Sequence, residues 1–526
     1  MYKEQYDRLT SDREGFLQQA RAHSELTIPS LIPPDGTGNS FNNLHKPFQS
    51  IGAFGVNSLA NKLTGALYPP TEPFFKLDVV TSSEEVESMS PQQLVLMDEK
   101  LSAIEQKILS EMTKRGDRSA ITEAVKHLVV GGNVLLYVGD EITTFYPLDS
   151  YVALRDGEGN LLKTITKDTL SYEIFKESHP ELTDVHSAHQ GGRSYAPKTI
   201  DVYTACVRKD GYWKVQEEAA GKLIASSKSR HPIDKPPYLA LRFNRIDKQS
   251  YGRGYVESLY GDLRSLENLW QAMVEGSAIN ARVVFLVNPN GFTSQRLFEE
   301  SANGAVIPGV ASDITTAKVD KSADLAVTAN QIQQIEARLQ QAFLLASSAQ
   351  RQAERVTATE VQMVVAELEQ VLGGVYAVLS EEFQRPYVNR LVSVLMKAKA
   401  IPEWPEGVID VSIITGSAGV GRGIDRERMV QFIQTLTQTL GPDVFKEYAN
   451  IGTTISRLAA SFGINLQGLI KTAEERQAEQ AQAQQQQMMS ELGPQAISAA
   501  GNVATAQIQT QGDTPNGDQE EDQPPV

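Results

Sequence analysis

The chain has 526 residues, of which 41% are hydrophobic and 22% charged; it can bury a real interior and is too long for one ordinary core, so about two to four packed units are expected. Its formal charge of −16 and pI near 5.1 exclude tight wrapping of DNA or of an anionic membrane, because such binders cluster Lys and Arg against phosphates. The single cysteine, Cys206, excludes an internal disulfide and fits a reducing compartment, with a small buried hydrophobe as its plain role.

Residues 1–26 read as a polar helix rather than a charged segment followed by an apolar block, so no secretory signal is expected and the chain stays where it is made. TIPSLIPPDGTGNS at 27–40 is a Pro/Gly loop. A helix at about 48–67 carries Ile51, Phe54, Leu59, Leu63 and Leu67 on a rough apolar face and ends at YPPTEPFF. From 91 to 116, Leu94, Met97, Leu101, Ile104, Ile108 and Met112 recur at spacings of three and four, which predicts a longer amphipathic helix. The run LVVGGNVLLYV at 128–138 is too short to span a membrane and reads as a helix end followed by a buried strand. Further strands are expected at 142–146, 151–155, 161–166, 199–207 and 212–217, separated by DGEGN and KDGY turns. The region is α+β. Within it His179, His186 and His189 could in principle hold zinc, but no fourth ligand accompanies them and a solvated loop is the simpler reading.

The centre of the chain changes character. Leu259, Leu263, Leu266, Trp270 and Met273 follow Tyr255 at helical spacing, predicting a helix of roughly 40 Å at 1.5 Å per residue. A mixed stretch from 284 to 327 contains the β-like runs VVFLV and GAVIP and the turn NPNG at 288–291. A capping-box spacing at Thr328 and Gln331 then predicts a second helix bearing Ile332, Ile335, Leu339 and Phe343. The polar segment SSAQRQAERVTATE at 347–360 ends in another capping box, Thr357 and Glu360. Beyond it Val361, Val364, Leu368, Val371, Val375, Val378 and Phe383 give a helix that Pro386 is expected to kink before it resumes to about 399. Helices are expected at about 425–440, 443–461 and 465–485. After Arg476 there is no Lys or Arg, whereas seven acidic residues follow, so the end reads as a solvated or assembly-dependent tail.

No catalytic constellation emerges: G-x-S-x-G, H-E-x-x-H and EF-hand patterns are absent, and neither a cofactor nor a metal is expected. The closest approach to a nucleotide motif is VSIITGSAGVGRGIDR at 411–426, where Gly416 and Gly421 fit the P-loop frame. Arg422 and Gly423 occupy the positions that require Lys and Ser/Thr, and the sequence that follows is all helical. The glycines are better explained as a sharp strand-to-helix turn. The GRG fragments read as turns.

Taken in order, TIPSLIPPDG, FGVNSLANKLTGALYPP, LVVGGNVLLYV, SYGRGYVESLYGDLRSLENL, LVNPNGFT, ERVTATEVQ and ELEQVLGGVYAVLSEEFQRP resemble the portal, or head-to-tail connector, proteins of T7-like short-tailed bacteriophages. The resemblance covers nearly the whole chain and is specific through the order of its parts. It implies a mainly α-helical α+β portal fold (wing, stem, clip and crown) assembled as a ring, usually of twelve subunits, around a central channel. It further implies a non-enzymatic conduit for double-stranded DNA packaging and ejection at one capsid vertex, present in host cytoplasm during assembly. The partners it implies are the major capsid protein, a scaffolding protein, internal core proteins, a terminase motor and then a tail adaptor, with no membrane. On this sequence the wing would be 1–252, the stem helices 253–283 and 328–346, and the clip 284–327. The tunnel loop would be 347–358, the long helix and return to the wing 359–423, the crown 424–476, and a barrel or acidic tail 477–526. The resemblance assigns channel contacts with DNA to Arg351 and Arg355, flanked by Gln350 and Gln352; salt bridging between neighbouring subunits is the alternative for the arginines. The segment SQRLFEESANG departs from the family in carrying one arginine, Arg296, beside two glutamates, which weakens a basic-contact account of motor docking. Net acidity suits a channel through which a polyanion slides, since few phosphates are neutralised. Two other classes stay open at this stage: an unusual nucleotide hydrolase built on 416–423, and an internal virion or scaffolding protein without a channel.

Overall fold

The computed structural model describes residues 1–36, 44–69, 74–79, 91–180, 199–281, 284–317, 322–345, 358–404, 408–414, 431–435 and 438–439. All of them lie in the first of two compact units, Met1–Tyr448; the second, Ala449–Val526, contains none. The described architecture is a mixture of helices and antiparallel sheets.

Helices α1 (Tyr2–Glu25) and α2 (Ile51–Leu67) follow the expected bounds closely, and strand β1 (Phe75–Val79) precedes α3 (Pro91–Arg115) and α4 (Asp117–Gly131). Helix α4 stops because Gly132 adopts φ +75°, its N–H closing onto the Leu128 carbonyl. The same chain then enters β2 (Asn133–Val138), the buried strand expected after a helix end. Strands β3 (Thr143–Tyr146), β4 (Tyr151–Arg155) and β5 (Leu161–Ser171) follow, then α5 (Tyr172–Ser178), β6 (Thr199–Lys209), β7 (Tyr212–Ala219), β8 (Lys222–Leu223), β9 (Ser229–Pro232) and β10 (Tyr238–Arg242). Strand order is β10-β2-β3 in one sheet and β4-β5-β6-β7-β8 in a second, with β9 pairing the other half of β7. Burial follows the register: Tyr6 and Leu9 of α1 cover Val152, Ile165, Tyr203 and Ala205 on one sheet face, while Leu17 and Ala20 join Leu135, Cys206, Trp213 and Tyr238 in another core. Burial pushes the Cys206 thiol well up, so it is the inert hydrophobe expected.

The second half begins with α6 (Val256–Asn280), β11 (Val284–Val287), α7 (Gln295–Glu300), β12 (Ile314–Ala317) and α8 (Ser322–Ala342). Two expectations are corrected here. The second strand is β12, not GAVIP at 304–308, where Gly304 has φ +85° and Val306 is solvent-exposed. Helix α8 starts at Ser322, and Thr328 sits inside it with its hydroxyl donating to the Asp324 carbonyl at 2.9 Å instead of capping.

Helix α9 (Ala358–Leu379) leads through a π-turn, Ser380–Gln384, into α10 (Arg385–Lys397), and β13 (Ile409–Ile413) pairs antiparallel with β1. The interruption expected at Pro386 takes the form of this π-turn. Lacking an N–H for the Glu382 carbonyl, the proline is accommodated by the wider turn, in which the Arg385 N–H reaches the Ser380 carbonyl. The extra residue preserves burial on both sides: Leu368, Leu372, Val375, Tyr376 and Leu379 before it, Tyr387, Val388, Leu391 and Leu395 after it. Closing the turn would rotate α9 by about 100° and bring Gly373, Ala377 and Ser380 to the core. The one interior departure from helical geometry in α9 is at Leu372 (φ −122°, ψ 17°). The glycine-rich 415–424 segment lies outside the described residues, but the strand ahead of it is in a two-stranded antiparallel sheet, unlike the parallel sheet of a P-loop fold. Of the helices expected after 424, backbone at 431–435 and 438–439 is helical and the remainder is outside the described residues.

Candidate functional site: a projecting helix pair, its root and its tip

Helices α6 and α8 pack antiparallel, and their 25 and 21 residues correspond to about 37 and 31 Å. Near the root the pair is ordinary protein interior, with Leu263, Leu266, Ile332 and Leu339 buried. The Trp270 indole N–H donates to Glu336 at 3.1 Å, Arg338 pairs with Asp262 at 3.0 Å, and the Tyr255 hydroxyl donates to the Ala342 carbonyl at 2.8 Å. Past Trp270 no residue of α6 is buried, and its outer surface there is Gln271, Ala272, Val274, Glu275, Ser277, Ala278 and Ile279, with a single charge.

Three features fix the root. The buried Glu267 carboxylate accepts from the backbone N–H of Phe48 at 2.9 Å and of Gln49 at 3.3 Å, with His45 at 3.4 Å; this ties α6 to the segment entering α2. Gly52 and Gly55 of α2 permit close approach: a Cβ would come within 2.6 Å of the Leu26 carbonyl oxygen at the first and 2.4 Å of the Phe343 ring at the second. At the base of α6, the segment Gly252-Arg253-Gly254 lies directly on Gly131-Gly132. The Asn133 side chain holds both strands of this crossing, donating to the carbonyls of Gly131 (3.1 Å) and Gly252 (2.7 Å) and accepting from the Gly252 N–H (2.7 Å). Read from sequence, GRG is only a turn; the missed signal is that two glycine pairs at distant points can be each other's partners.

A second polar centre joins the sheets to the π-turn. Glu382 accepts from the Arg242 backbone N–H at 3.0 Å and Nε at 2.9 Å, contacts Arg242 Nη2, and pairs with Arg155 Nη1 at 3.4 Å. Both arginines are buried. Burial, opposed by Glu382 and reinforced by the neighbouring Arg242, brings the Arg155 pKa down to about 10. Nothing in the sequence marks Glu382 apart from other helix glutamates; only the π-turn aims it inward.

The tip comprises β11, β12 and α7. Asp313 organises it by accepting from the N–H groups of Phe292 (2.8 Å) and Thr293 (3.1 Å) and from the Thr293 hydroxyl (3.1 Å), while Phe285 and Phe298 meet edge to face at 5.1 Å. Around this small polar core the apolar residues face water: Val284, Phe285, Leu286 and Leu297 are exposed, Phe292 is 93% exposed and Val306 99%. Arg296 is satisfied within α7 by Glu300 at 2.9 Å.

The expected channel residues Gln350, Arg351, Gln352 and Arg355 lie outside the described residues, as do His186 and His189. His179 is placed beside Glu217 at 3.7 Å and against Phe175 at 5.0 Å. Among the described residues no group of three His, Cys, Asp or Glu side chains could hold a metal ion, and no helix is long and apolar enough to cross a membrane.

Comparison with known proteins gives consistent results. The profile of a family described as "Bacteriophage head to tail connecting protein" matches residues 1–470. The portal protein of Enterobacteria phage T3 is 36% identical over 517 residues, 97% of this chain and 94% of its own length. That of Escherichia phage T7 is 37% identical over 514 residues, 96% and 94% of the two chains. That of Enterobacteria phage SP6 is 29% identical over 496 residues, 92% and 93%. Among solved structures, a chain from the neck of a native GTA particle computed with C12 symmetry shares 10% identity over 72% of this chain and 85% of its own, at a TM-score of 0.34, too distant to carry an argument about architecture.

Proposed function

This chain belongs to the bacteriophage head-to-tail connecting protein family, and from that premise we propose that copies of it close into a ring, of twelve subunits, at one capsid vertex. Double-stranded DNA passes through the ring during packaging and ejection. The observation that carries the reading is the α6/α8 pair, whose outer half, among the described residues, has no fully buried side chain and whose tip exposes Phe285, Phe292 and Val306. A lone chain does not keep such a surface in water without cost, whereas copies arrayed side by side bury it.

In this reading 1–252 is the wing, α6 and α8 are the stem, 284–317 is the described part of the clip, and 424–476 is the crown. The ring meets the major capsid protein, a scaffolding protein and internal core proteins within the shell, and a terminase motor and then a tail adaptor at the clip. It assembles in host cytoplasm and remains in the virion. Its role is mechanical, not enzymatic: purified protein with and without DNA is expected to show no ATP turnover, and sustained turnover would revive the hydrolase reading of 416–423. Negative-stain images of purified protein are expected to show closed rings with a central hole; monomers or filaments would favour an internal or scaffolding role instead.

Within the channel, Arg351 and Arg355 centre the duplex while Gln350 and Gln352 offer neutral contacts. A few cations suffice, because each neutralised phosphate deepens binding and slows sliding. The double variant Arg351→Ala with Arg355→Ala is expected to form normal rings yet to package or retain DNA poorly. Unimpaired packaging would remove the assignment, and failure of ring formation would give the two arginines to the subunit interface.

A further inference from the structure

The six-stranded sheet carries a row of like charges that its own packing does not require. The registers β5 with β6, β6 with β7 and β7 with β9 align Lys163, Val207, Lys214 and Arg230, so their side chains emerge on one face. Lys214 and Arg230 are direct cross-strand neighbours, an arrangement that destabilises a sheet unless an anion answers it. Arg230 instead lies over the Tyr212 ring, 3.4 Å from its centroid, which leaves the guanidinium edge open. The Lys163 ammonium donates to the neutral Gln5 amide at 2.7 Å, and Arg8 of α1 and Lys209 of β6 add exposed cations beside the row. Against these stand Asp210, which holds Lys214 at 2.5 Å, and Asp7 of α1. Among the described residues, no carboxylate is within ion-pair distance of Arg8, Lys163, Lys209 or Arg230. This excess is local, in a chain whose net charge is −16.

We propose that the end of this face beside α1, which covers Ile165, Tyr203 and Ala205 on the same side, binds the phosphate backbone of double-stranded DNA outside any channel. From β5 to β9 the row spans about 14 Å, three strand spacings, enough to meet two or three successive phosphates. A phosphate backbone fits better than an acidic protein because the row is rich in lysine and offers only Val207 and the Tyr212 ring as apolar surface. Protein interfaces exclude Lys from their cores, whereas backbone contacts to DNA are built from it. The contact is independent of sequence and sensitive to salt.

The test uses the full-length protein and a relaxed, covalently closed plasmid, which has no end to thread through a ring, so failure here would leave the conduit reading untouched. Binding is measured between 50 and 200 mM salt for the wild type, the triple variant Lys163→Gln/Lys214→Gln/Arg230→Gln, and the single variant Arg230→Gln. Three phosphate contacts contribute a slope of about −2.7 in log K against log salt, equal to a loss on the order of 40-fold across that range. The triple variant is expected to bind more weakly at 50 mM with a slope flatter by about 2.7, and the single variant by about 0.9, so the single variant still decides the matter should the triple one fold poorly. The Arg351→Ala/Arg355→Ala variant is expected to bind the plasmid as the wild type does. Unchanged slopes, no plasmid binding by the wild type at 50 mM, or preferential binding of polyglutamate at equal salt would each overturn the proposal.

Discussion

Replacing Glu382 with alanine is expected to cost about 3–5 kcal/mol of stability, because it removes the one carboxylate that two buried guanidiniums share. The arithmetic of partners explains the size. Arg242 spends its Nε and Nη2 on Glu382, and its own backbone N–H, at the end of β10, is satisfied by the same carboxylate. What remains to Arg242 after the substitution is the Gln249 carbonyl at 3.3 Å and the Gly159 carbonyl at 3.4 Å; Arg155 keeps Gly159 at 2.9 Å and Ala240 at 2.6 Å. Two positive charges then lie in a dry site with carbonyl dipoles alone, and a backbone donor is orphaned. Glu382→Gln keeps the shape and some hydrogen bonding but not the charge, so its cost is expected to fall between zero and that of alanine. Urea denaturation followed by the fluorescence of the three tryptophans measures both. A loss below about 1 kcal/mol for alanine would mean that water or another anion already answers the arginines.

Much of the fold is legible in the sequence because it follows from periodicity. The apolar spacing of α2, α3 and α6 and the β-prone runs of β4 to β7 place those elements within a few residues, and turn chemistry such as DGEGN and KDGY separates the strands correctly. The failures have specific causes. Thr328 has the spacing of a cap, yet apolar positions before it extend α8 backward by about a turn and a half, and its hydroxyl is spent on Asp324 instead. GAVIP looks like a strand but finds no partner, because β11 is paired by Ile314–Ala317. Pro386 announces a helix disturbance whose form, a π-turn, depends on apolar faces that must both stay buried. The root of the α6/α8 pair was the least legible part. Its determinants, Gly132 against Gly254 and Glu267 against the Phe48 backbone, join positions more than a hundred residues apart and have no periodic signature.

That root underlies the other large expected effect, a substitution of one methyl group. Gly254→Ala places a Cβ 2.5 Å from the Val130 carbonyl oxygen and 2.9 Å from that of Val129. Both belong to the last turn of α4, so the obstacle is backbone, not a side chain that can swing away. The other wall offers no relief: Gly132 is already at φ +75°, and a Cβ there would lie 2.3 Å from the Arg253 carbonyl carbon. The crossing must open, at an expected cost of about 3 kcal/mol. Geometry multiplies the consequence, since α6 starts two residues later at Val256. A tilt of about 10° at the base of a 37 Å helix moves its far end by roughly 6 Å, more than the spacing of two strands. The variant is therefore expected to fold in part yet fail to close rings, giving open or heterogeneous oligomers in negative stain where the wild type gives closed ones. Gly261→Ala is the internal control: it lies on the same helix with nothing within 4 Å of the added Cβ, and it is expected to leave rings intact and stability unchanged or higher by up to about 1 kcal/mol. Equal behaviour of the two variants would show that the glycine crossing does not set the direction of the helix pair.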